Sequence, residues 1–290
     1  MRIFVRKWSA LVVLLCLVLV AGCASLSSQK SDQFIFLSST IGPIDSGIVD
    51  VLENQFENET GIRVRHVGAG TGAALNIARK GSIDLVMVHA KSLEEKFIQE
   101  GFGTRRIPLM YNDFVLVGPA SDPAGIRGMK TAAEALRRIS EKGVSFISRG
   151  DKSGTHVAEM ELWEKAGLKP SAPWYAIYEK GSEGNSATLK YTNQQEAYTV
   201  IDRATYLALK DQIQLVILVE GDEAMLNYIS LIPVDQKKFK TVNATDTMRF
   251  VNWLTDPEKG QAVIRGFGKE KYGAPLFFPN SEDWQKTKGK

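Results

Sequence analysis

Cysteine is nearly absent from this 290-residue chain, which contains only Cys16 and Cys23. Cys16 lies within an apolar run over residues 10–20, so a mature chain without that run would keep a single cysteine. An intramolecular disulfide is therefore excluded, and the protein must be stabilised by its hydrophobic core.

Histidine is also scarce, since the chain has only His66, His89 and His156. The three residues are far apart, do not show the spacing of a metal-binding motif, and have no cysteine beside them. The sequence therefore predicts no metal-cation site and no cofactor.

The N-terminus combines three basic residues, the short apolar run, and small residues that lead to Cys23. This pattern is typical of a bacterial lipoprotein signal. It predicts a signal peptide over residues 1–22, lipid attachment at Cys23, a polar tether over residues 23–32, and an extracytoplasmic, membrane-anchored protein. The apolar run is short for a membrane span, although an uncleaved N-terminal anchor is the alternative.

An excess of basic charge is missing from the predicted mature chain. The whole chain has 36 basic and 33 acidic residues, and the predicted signal contains three of the basic ones and none of the acidic ones. The mature formal charge is therefore zero, which gives no support to a nucleic-acid partner.

Apolar strands alternate with helical segments along the chain, which is typical of an α/β protein. Strands are predicted at residues 33–37, 62–67, 83–88, 144–148 and 215–219, and helices at 46–56, 73–79, 93–100, 131–142 and 156–166. Residues 187–209 are expected to be mostly helical. The extended segment 105–119 is expected to cross between two lobes. Lobe 1 would contain residues 33–117 and 219–290, and lobe 2 residues 118–218.

Three predicted strand-to-helix loops, at residues 38–43, 68–72 and 149–155, are rich in Ser, Thr and Gly. Hydroxyls and the free N–H groups of a helix N-terminus bind oxyanions. Because two loops belong to lobe 1 and one to lobe 2, we expect them to bind an anion in the cleft between the lobes.

The third loop begins with Arg149, the one full positive charge expected at this site. Asp151 is placed to pair with Arg149 and fix its orientation, and Ser153 and Thr155 would add hydroxyls at the helix start. The alternative is a Gly-rich turn with an N-capping Ser or Thr and a solvated arginine.

Several stretches match one family in order over nearly the whole predicted mature chain: residues 45–47, 68–72, 88–90, 110–115, 148–156, 187–189, 205–208 and 219–222. In these stretches the chain resembles the tungstate-binding proteins of bacterial tungstate ABC transporters, which are type II periplasmic binding proteins. The resemblance implies a two-lobe α/β fold with a ligand cleft and a monomeric binding protein that is not an enzyme. It also implies a tungstate ligand, with molybdate as a second candidate, and a permease with its ATPase as partners.

The same resemblance implies ligand-binding residues on all three loops. They are Ser39, Thr40, Gly42, Ser46, Gly70, Thr71, Arg149, Ser153, Gly154 and Thr155. Two departures leave the preferred anion open. The family's first loop usually reads Thr-Thr-Thr-Ser, whereas residues 39–42 read Ser-Thr-Ile-Gly, and residues 184–186 contain fewer glycines than the family pattern.

Other functions are compatible with parts of the sequence. The Arg149 loop also resembles the Arg-x-Asp-x-Ser-Gly-Thr loop of phosphate-binding proteins, but His89 stands where that family has the aspartate that accepts the phosphate proton. His89 could equally be a packing residue. Ser153, His156 and Asp151 are the residue types of a hydrolase triad, although they lack a G-x-S-x-G elbow. A ligand-binding sensor without a transporter is a further alternative.

Overall fold

A computed structural model describes residues 34–171 and 173–288 of the chain. The predicted signal peptide, the tether and the lipidation site Cys23 lie outside these residues. Within them, no helix combines the length and the apolar character that a membrane crossing requires.

Strands and helices alternate through most of the described chain, which confirms the predicted α/β class. The strands are β1 (Phe34–Thr40), β2 (Arg63–Ala69), β3 (Leu85–Val88), β4 (Ile107–Gly118), β5 (Phe146–Ser148), β6 (Tyr175–Ile177), β7 (Thr199–Asp202), β8 (Val216–Val219), β9 (Leu226–Pro233) and β10 (Phe278–Pro279). The helices are α1 (Ile41–Asp45), α2 (Ile48–Thr60), α3 (Thr71–Ala78), α4 (Lys91–Gln99), α5 (Ala132–Lys142), α6 (Gly154–Lys165), α7 (Asn185–Gln194), α8 (Arg203–Leu209), α9 (Ala244–Thr255), α10 (Gly260–Gly266), α11 (Lys269–Tyr272) and α12 (Glu282–Lys288). Short 3-10 turns cover Gly181–Glu183, Lys210–Gln212 and Glu223–Met225.

The largest sheet has the strand order β10-β4-β9-β3-β1-β2. β1 is parallel to β2 and β3, whereas β9 is antiparallel to β3 and β4. The second half of β4 pairs antiparallel with β7 and β8. β5 and β6 form a separate parallel pair, and the Ile147 N–H connects β5 to the chain before β7 by donating to the Tyr198 carbonyl at 2.8 Å.

β4 changes its pairing partner in the middle of the strand, and the hydrophobic core divides in the same region. Asp113 is in register with Leu226 of β9, whereas Phe114 is in register with Asp202 of β7. One buried cluster draws on β1, β2, β3, β9 and α9, and another on α5, α6, β7 and the second half of β4. Burial of this apolar surface supplies most of the driving force for folding.

Helix ends follow the expected capping chemistry. α2 stops at Gly61, which has a φ of 73°, as the sequence predicts. The Thr131 hydroxyl oxygen accepts a hydrogen bond from the Glu134 N–H at the start of α5, and the left-handed Gly143 ends this helix.

One predicted element is wrong, and another is incomplete. Residues 38–43 are predicted as a loop, but Ser38, Ser39 and Thr40 complete β1 and α1 begins at Ile41. Main-chain pairing of β1 with β2 and β3 on both sides keeps these polar residues extended. The prediction that residues 187–209 are mostly helical is confirmed by α7 and α8, but β7 interrupts the helices because it pairs with β4 and is mostly buried. Strand pairing overrides local propensity in both places.

Candidate anion-binding site

The carboxyl ends of three parallel strands meet at one edge of the large sheet. Thr40 is in register with Ala69 at the end of β2, and Ser39 is in register with Met87 of β3. The helices α1, α3 and α4 each begin within three residues of the preceding strand end. Their first-turn N–H groups have no acceptor within the helix, so this edge offers donors to a ligand.

The first loop presents a buried hydroxyl at Thr40. This residue is 2% exposed, and its Oγ1 has no hydrogen-bond partner among the described residues. The Ser39 hydroxyl is buried and donates to the Thr40 carbonyl at 3.3 Å. Gly42 lies in the first turn of α1, and a Cβ at this position would meet no atom within 4 Å. The main chain at Gly42 is therefore open to close approach.

Ser46 is engaged in the local structure between α1 and α2. Its hydroxyl donates to the Pro43 carbonyl at 2.8 Å and accepts from the Ile48 N–H at 3.4 Å. A bond from Ser46 to a ligand would compete with these two bonds, and its place in the site stays a prediction.

The second loop opens α3 at Thr71. Gly70 precedes the helix in an extended conformation without a side-chain cap, so the first-turn N–H groups have no acceptor within the helix. A Cβ at Gly70 or Gly72 would meet no atom within 4 Å. The small residues therefore leave this helix N-terminus accessible.

The third loop joins β5 to α6 through the left-handed Gly150, which has a φ of 66°. A Cβ on Gly150 would lie 2.2 Å from Cγ2 of Ile177, so only glycine fits there. Ser153 then caps α6, because its hydroxyl oxygen accepts from the His156 N–H at 3.4 Å. Thr155, in the first turn of α6, is buried.

Arg149 is held by two side-chain acceptors. Its guanidinium donates to the Asp151 carboxylate at 2.5 Å, as the sequence predicts, and to the side-chain oxygen of Asn185. The Asn185 amide group in turn donates to Asp202 at 2.6 Å. The Arg149 Nε atom is buried and has no partner in the described part of the chain. The cation is therefore fixed in orientation while one of its donors stays free for a ligand.

Asp151 is ionised in this arrangement. Burial raises the pKa of its carboxyl, but the hydrogen bonds from Ser153 and the charge of Arg149 outweigh burial and hold the pKa below its usual range. One carboxylate oxygen accepts from Arg149 and the other from the Ser153 N–H at 3.1 Å. Because both oxygens are engaged, Asp151 is poorly suited to accept a proton from a ligand.

His89 follows β3 and lies against the start of α6. A Cβ built on Gly154 would be 3.6 Å from the His89 Cε1 atom, which is an ordinary contact distance. Burial lowers the pKa of His89 and favours its neutral form. This contact brings the third loop to the sheet edge that carries the first two loops.

A buried carboxylate supports the Arg149 loop. Glu159 is 1% exposed and accepts hydrogen bonds from the Ser148 hydroxyl at 2.7 Å, the Tyr175 hydroxyl at 2.9 Å and the Trp163 indole N–H at 3.2 Å. Burial raises the pKa of Glu159 to about 7, although the three donors oppose this rise. Since Ser148 directly precedes Arg149, Glu159 anchors the end of β5.

Asn185, Asp202 and Glu159 were not found by sequence reasoning. Asn185 is 36 residues from Arg149 along the chain, and no local pattern connects the two. The sequence contains only a weak indication that Glu159 is buried, namely its position four residues before Trp163 on one side of α6.

The contacts of His156 argue against a hydrolase. Its Nδ1 accepts from the Lys152 N–H at 2.9 Å, and Asp151 is bonded to Arg149 and to the Ser153 main chain. In a Ser-His-Asp triad the imidazole bonds both the Ser hydroxyl and the Asp carboxylate, whereas the His156 ring bonds the Lys152 main chain instead.

Comparison with known proteins gives consistent matches over most of the chain. A PBP superfamily domain matches residues 27–258. The chain is similar to the tungstate-binding protein TupA of Peptoclostridium acidaminophilum, with 40% identity over 278 residues that cover 93% of this chain and 96% of the relative.

Solved structures match equally broadly. The tungstate-binding protein TupA from Desulfovibrio alaskensis G20 has a TM-score of 0.80 and 38% identity, with coverage of 86% of this chain and 99% of the other. The tungstate ABC transporter structure from Geobacter sulfurreducens has a TM-score of 0.68 and 42% identity, with coverage of 80% and 98%. By their names, these relatives are binding and transport proteins rather than enzymes.

Proposed function

The chain belongs to the PBP superfamily and, within it, to the family of the tungstate-binding protein TupA, and we propose that it captures tungstate for an ABC transporter. The observation that carries this proposal is the arrangement of Arg149. Its guanidinium is oriented by Asp151 and Asn185, and its buried Nε lacks a partner within the described residues. A buried dianion at this position would receive a full positive charge that is already in place.

Further donors come from the first two loops. The Thr40 hydroxyl is buried without a described partner, and the N-termini of α1 and α3 supply N–H groups at the same edge of the sheet. Neutral donors of this kind stabilise a dianion without adding charges that would themselves need compensation. Ser39, Gly42, Gly70, Thr71, Ser153, Gly154 and Thr155 are proposed to complete the contacts.

The protonation states favour a fully deprotonated anion. Phosphate keeps a proton near neutral pH, and that proton needs an acceptor. Both oxygens of Asp151 are already engaged, and the resemblance to phosphate-binding proteins implies that His89 replaces their aspartate. Tungstate and molybdate carry no proton under these conditions, so they fit the donors better. We propose tungstate as the main ligand and molybdate as a second one.

We also propose that the protein closes on its ligand by bringing together two lobes, residues 33–117 with 219–290 and residues 118–218. The divided core and the partner change within β4 support this division. Near the partner change, Arg203 donates to both oxygens of Asp113 at 2.8 and 3.0 Å and contacts Glu220, which follows β8, at 2.8 Å. These ion pairs connect β4 with the segment after β8, the two places where the chain would cross between the lobes. Closure would bend the chain near them.

The proposed location follows from the N-terminal sequence. A lipid on Cys23 would anchor the protein to a membrane, in the periplasm or at the cell surface, with residues 23–32 as a tether. There it would deliver the anion to a permease driven by an ATPase, as the names of its relatives suggest.

Isothermal titration of the purified protein with tungstate, molybdate, sulfate and phosphate tests the ligand assignment. We expect tungstate and molybdate to bind more tightly than sulfate and phosphate, because larger tetrahedral oxyanions reach more of the donors. Tightest binding of phosphate would contradict the proposal and favour the phosphate alternative.

A further inference from the structure

Three side chains of the types that can ligate a metal lie close together between α2 and β2. Asp50 and Glu53 are three residues apart on α2, so they lie on the same face of this helix. His66 is on β2, the last strand in the order of the large sheet. One ligand atom from each of the three lies within 4.8 Å of the other two.

The individual distances suit a shared cation. The His66 Nδ1 atom is 3.0 Å from Glu53 Oε2 and 4.0 Å from Asp50 Oδ1. In a tetrahedral zinc site the metal–ligand distances of about 2.0–2.2 Å place neighbouring ligand atoms about 3.3 Å apart. These two separations lie on either side of this value, and the third, between Asp50 and Glu53, is no more than 4.8 Å, so side-chain rotations would be needed to complete the geometry.

Glu53 supplies a second, independent observation. It is 7% exposed, and its Oε1 atom is buried without a hydrogen-bond partner among the described residues. A carboxylate that is buried and only half satisfied is costly, and a bound cation would offset that cost.

The neighbouring basic residue does not satisfy Glu53. The Arg65 guanidinium contacts Glu57 at 3.4 Å and donates to the Val64 carbonyl at 2.6 Å. The carboxylate oxygens of Asp50 and Glu53 lie within 4.8 Å of each other, so a cation between them would relieve the repulsion of like charges.

We propose that Asp50, Glu53 and His66 bind one divalent transition-metal cation of the zinc class. One imidazole nitrogen and two carboxylate oxygens are ligands that Zn²⁺ accepts, whereas Mg²⁺ and Ca²⁺ prefer oxygen ligands alone. Asp50 is largely exposed, so the site opens to solvent and water completes the coordination. The cation would fasten α2 to the β2 strand. This site shares no residue with the anion site and does not depend on the proposed function.

The test measures zinc bound to the purified protein after treatment with a chelator and dialysis against buffered Zn²⁺. We expect one zinc ion per chain. Asp50→Asn, Glu53→Gln and His66→Gln should each weaken binding at least about tenfold, because even residues that only support a ligand usually contribute that much. Glu59→Gln is the matched control, since Glu59 is an exposed acid on the same helix that accepts from the Trp253 indole N–H at 2.7 Å.

Thermal unfolding gives a second measurement. Zn²⁺ should raise the unfolding temperature of the unaltered protein and of the Glu59→Gln control, but not of the three ligand variants. If Glu53→Gln fails to fold, the exposed Asp50→Asn variant still decides the question. The proposal is overturned if the unaltered protein shows no saturable zinc binding, or if Asp50→Asn and His66→Gln bind zinc as tightly as it does.

Discussion

The Arg149 guanidinium donates to the side-chain oxygen of Asn185, so the first residue of α7 orients the cation of the anion site. Asn185 is itself fixed by its bond to Asp202, whose other oxygen accepts from the Thr205 N–H at the start of α8. The orientation of Arg149 therefore depends on two helix N-termini as well as on its own loop.

Replacement of Arg149 should abolish most tungstate binding. Arg149→Ala removes the full positive charge from the site, and we expect a loss of about 2–5 kcal/mol in binding free energy. Arg149→Lys should lose less, because it keeps the charge but not the planar fork. Titration calorimetry with the exposed Arg105→Ala as control measures both. Unchanged affinity of Arg149→Ala would remove this residue from the site.

Loss of Asn185 should weaken binding through the position of Arg149. Asn185→Ala removes the acceptor of one Arg149 guanidinium donor, and an unsatisfied donor of this kind costs about 1–3 kcal/mol of stability. We expect a smaller loss of tungstate affinity than for Arg149→Ala. Lys190→Ala, an exposed change on the same helix, should bind normally. Equal affinities of the Asn185 and Lys190 variants would show that Asn185 does not position Arg149.

Glu159 should make stability depend on pH. Its pKa of about 7 lies above the ordinary value of 4.5, so its stabilising contribution is complete below about pH 4.5 and is lost as the pH rises through 7. The loss is on the order of 3 kcal/mol. We expect chemical denaturation at several pH values to show that the free energy of unfolding falls less steeply with rising pH in Glu159→Gln than in the unaltered protein. Parallel curves for the two proteins would refute this.

The first loop should tolerate the hydroxyls that this chain lacks. Ile41 is 45% exposed, and a Cβ at Gly42 meets no atom within 4 Å, so Ile41→Thr with Gly42→Ser has room. Each new bond should tighten tungstate binding by about 0.5–1.5 kcal/mol. Ile41→Val is the apolar control. If the double change abolishes binding of the native ligand, these residues shape a pocket for a different anion.

Cys23 should be needed for membrane attachment only. Cys23→Ser should abolish incorporation of a radiolabelled fatty acid and release the protein from membranes, while tungstate affinity stays the same. Labelling that persists in this variant would contradict the lipoprotein signal.

The sequence predicted the elements that periodicity determines, and it missed contacts that depend on distant pairing. The apolar run before His89 and the glycine at position 61 were sufficient to place β3 and the end of α2. The pairing of Arg149 with Asp151 was also predictable, because both are in one loop. Asn185 was not, since only tertiary packing brings α7 to that loop.

The same limit explains why the sequence does not predict the cluster of Asp50, Glu53 and His66. The scarcity of histidine suggested that no cation site exists, but the sequence does not show that His66 on β2 faces the helix that precedes it. A spacing of 13 residues between Glu53 and His66 matches no familiar motif. The contact arises because β2 returns alongside β1 after α2.

The position of β9 has a consequence for the synthesis of this protein. β9 lies between β3 and β4, although more than a hundred residues separate β4 from the end of β9 in the chain. A nascent chain that ends before Leu226 would leave open edges on β3 and on the first half of β4, and would lack Leu231 from its core. Strand pairing of such high sequence separation is slow and forms late. Completion of the sheet thus waits until Leu226–Pro233 have emerged from the ribosome.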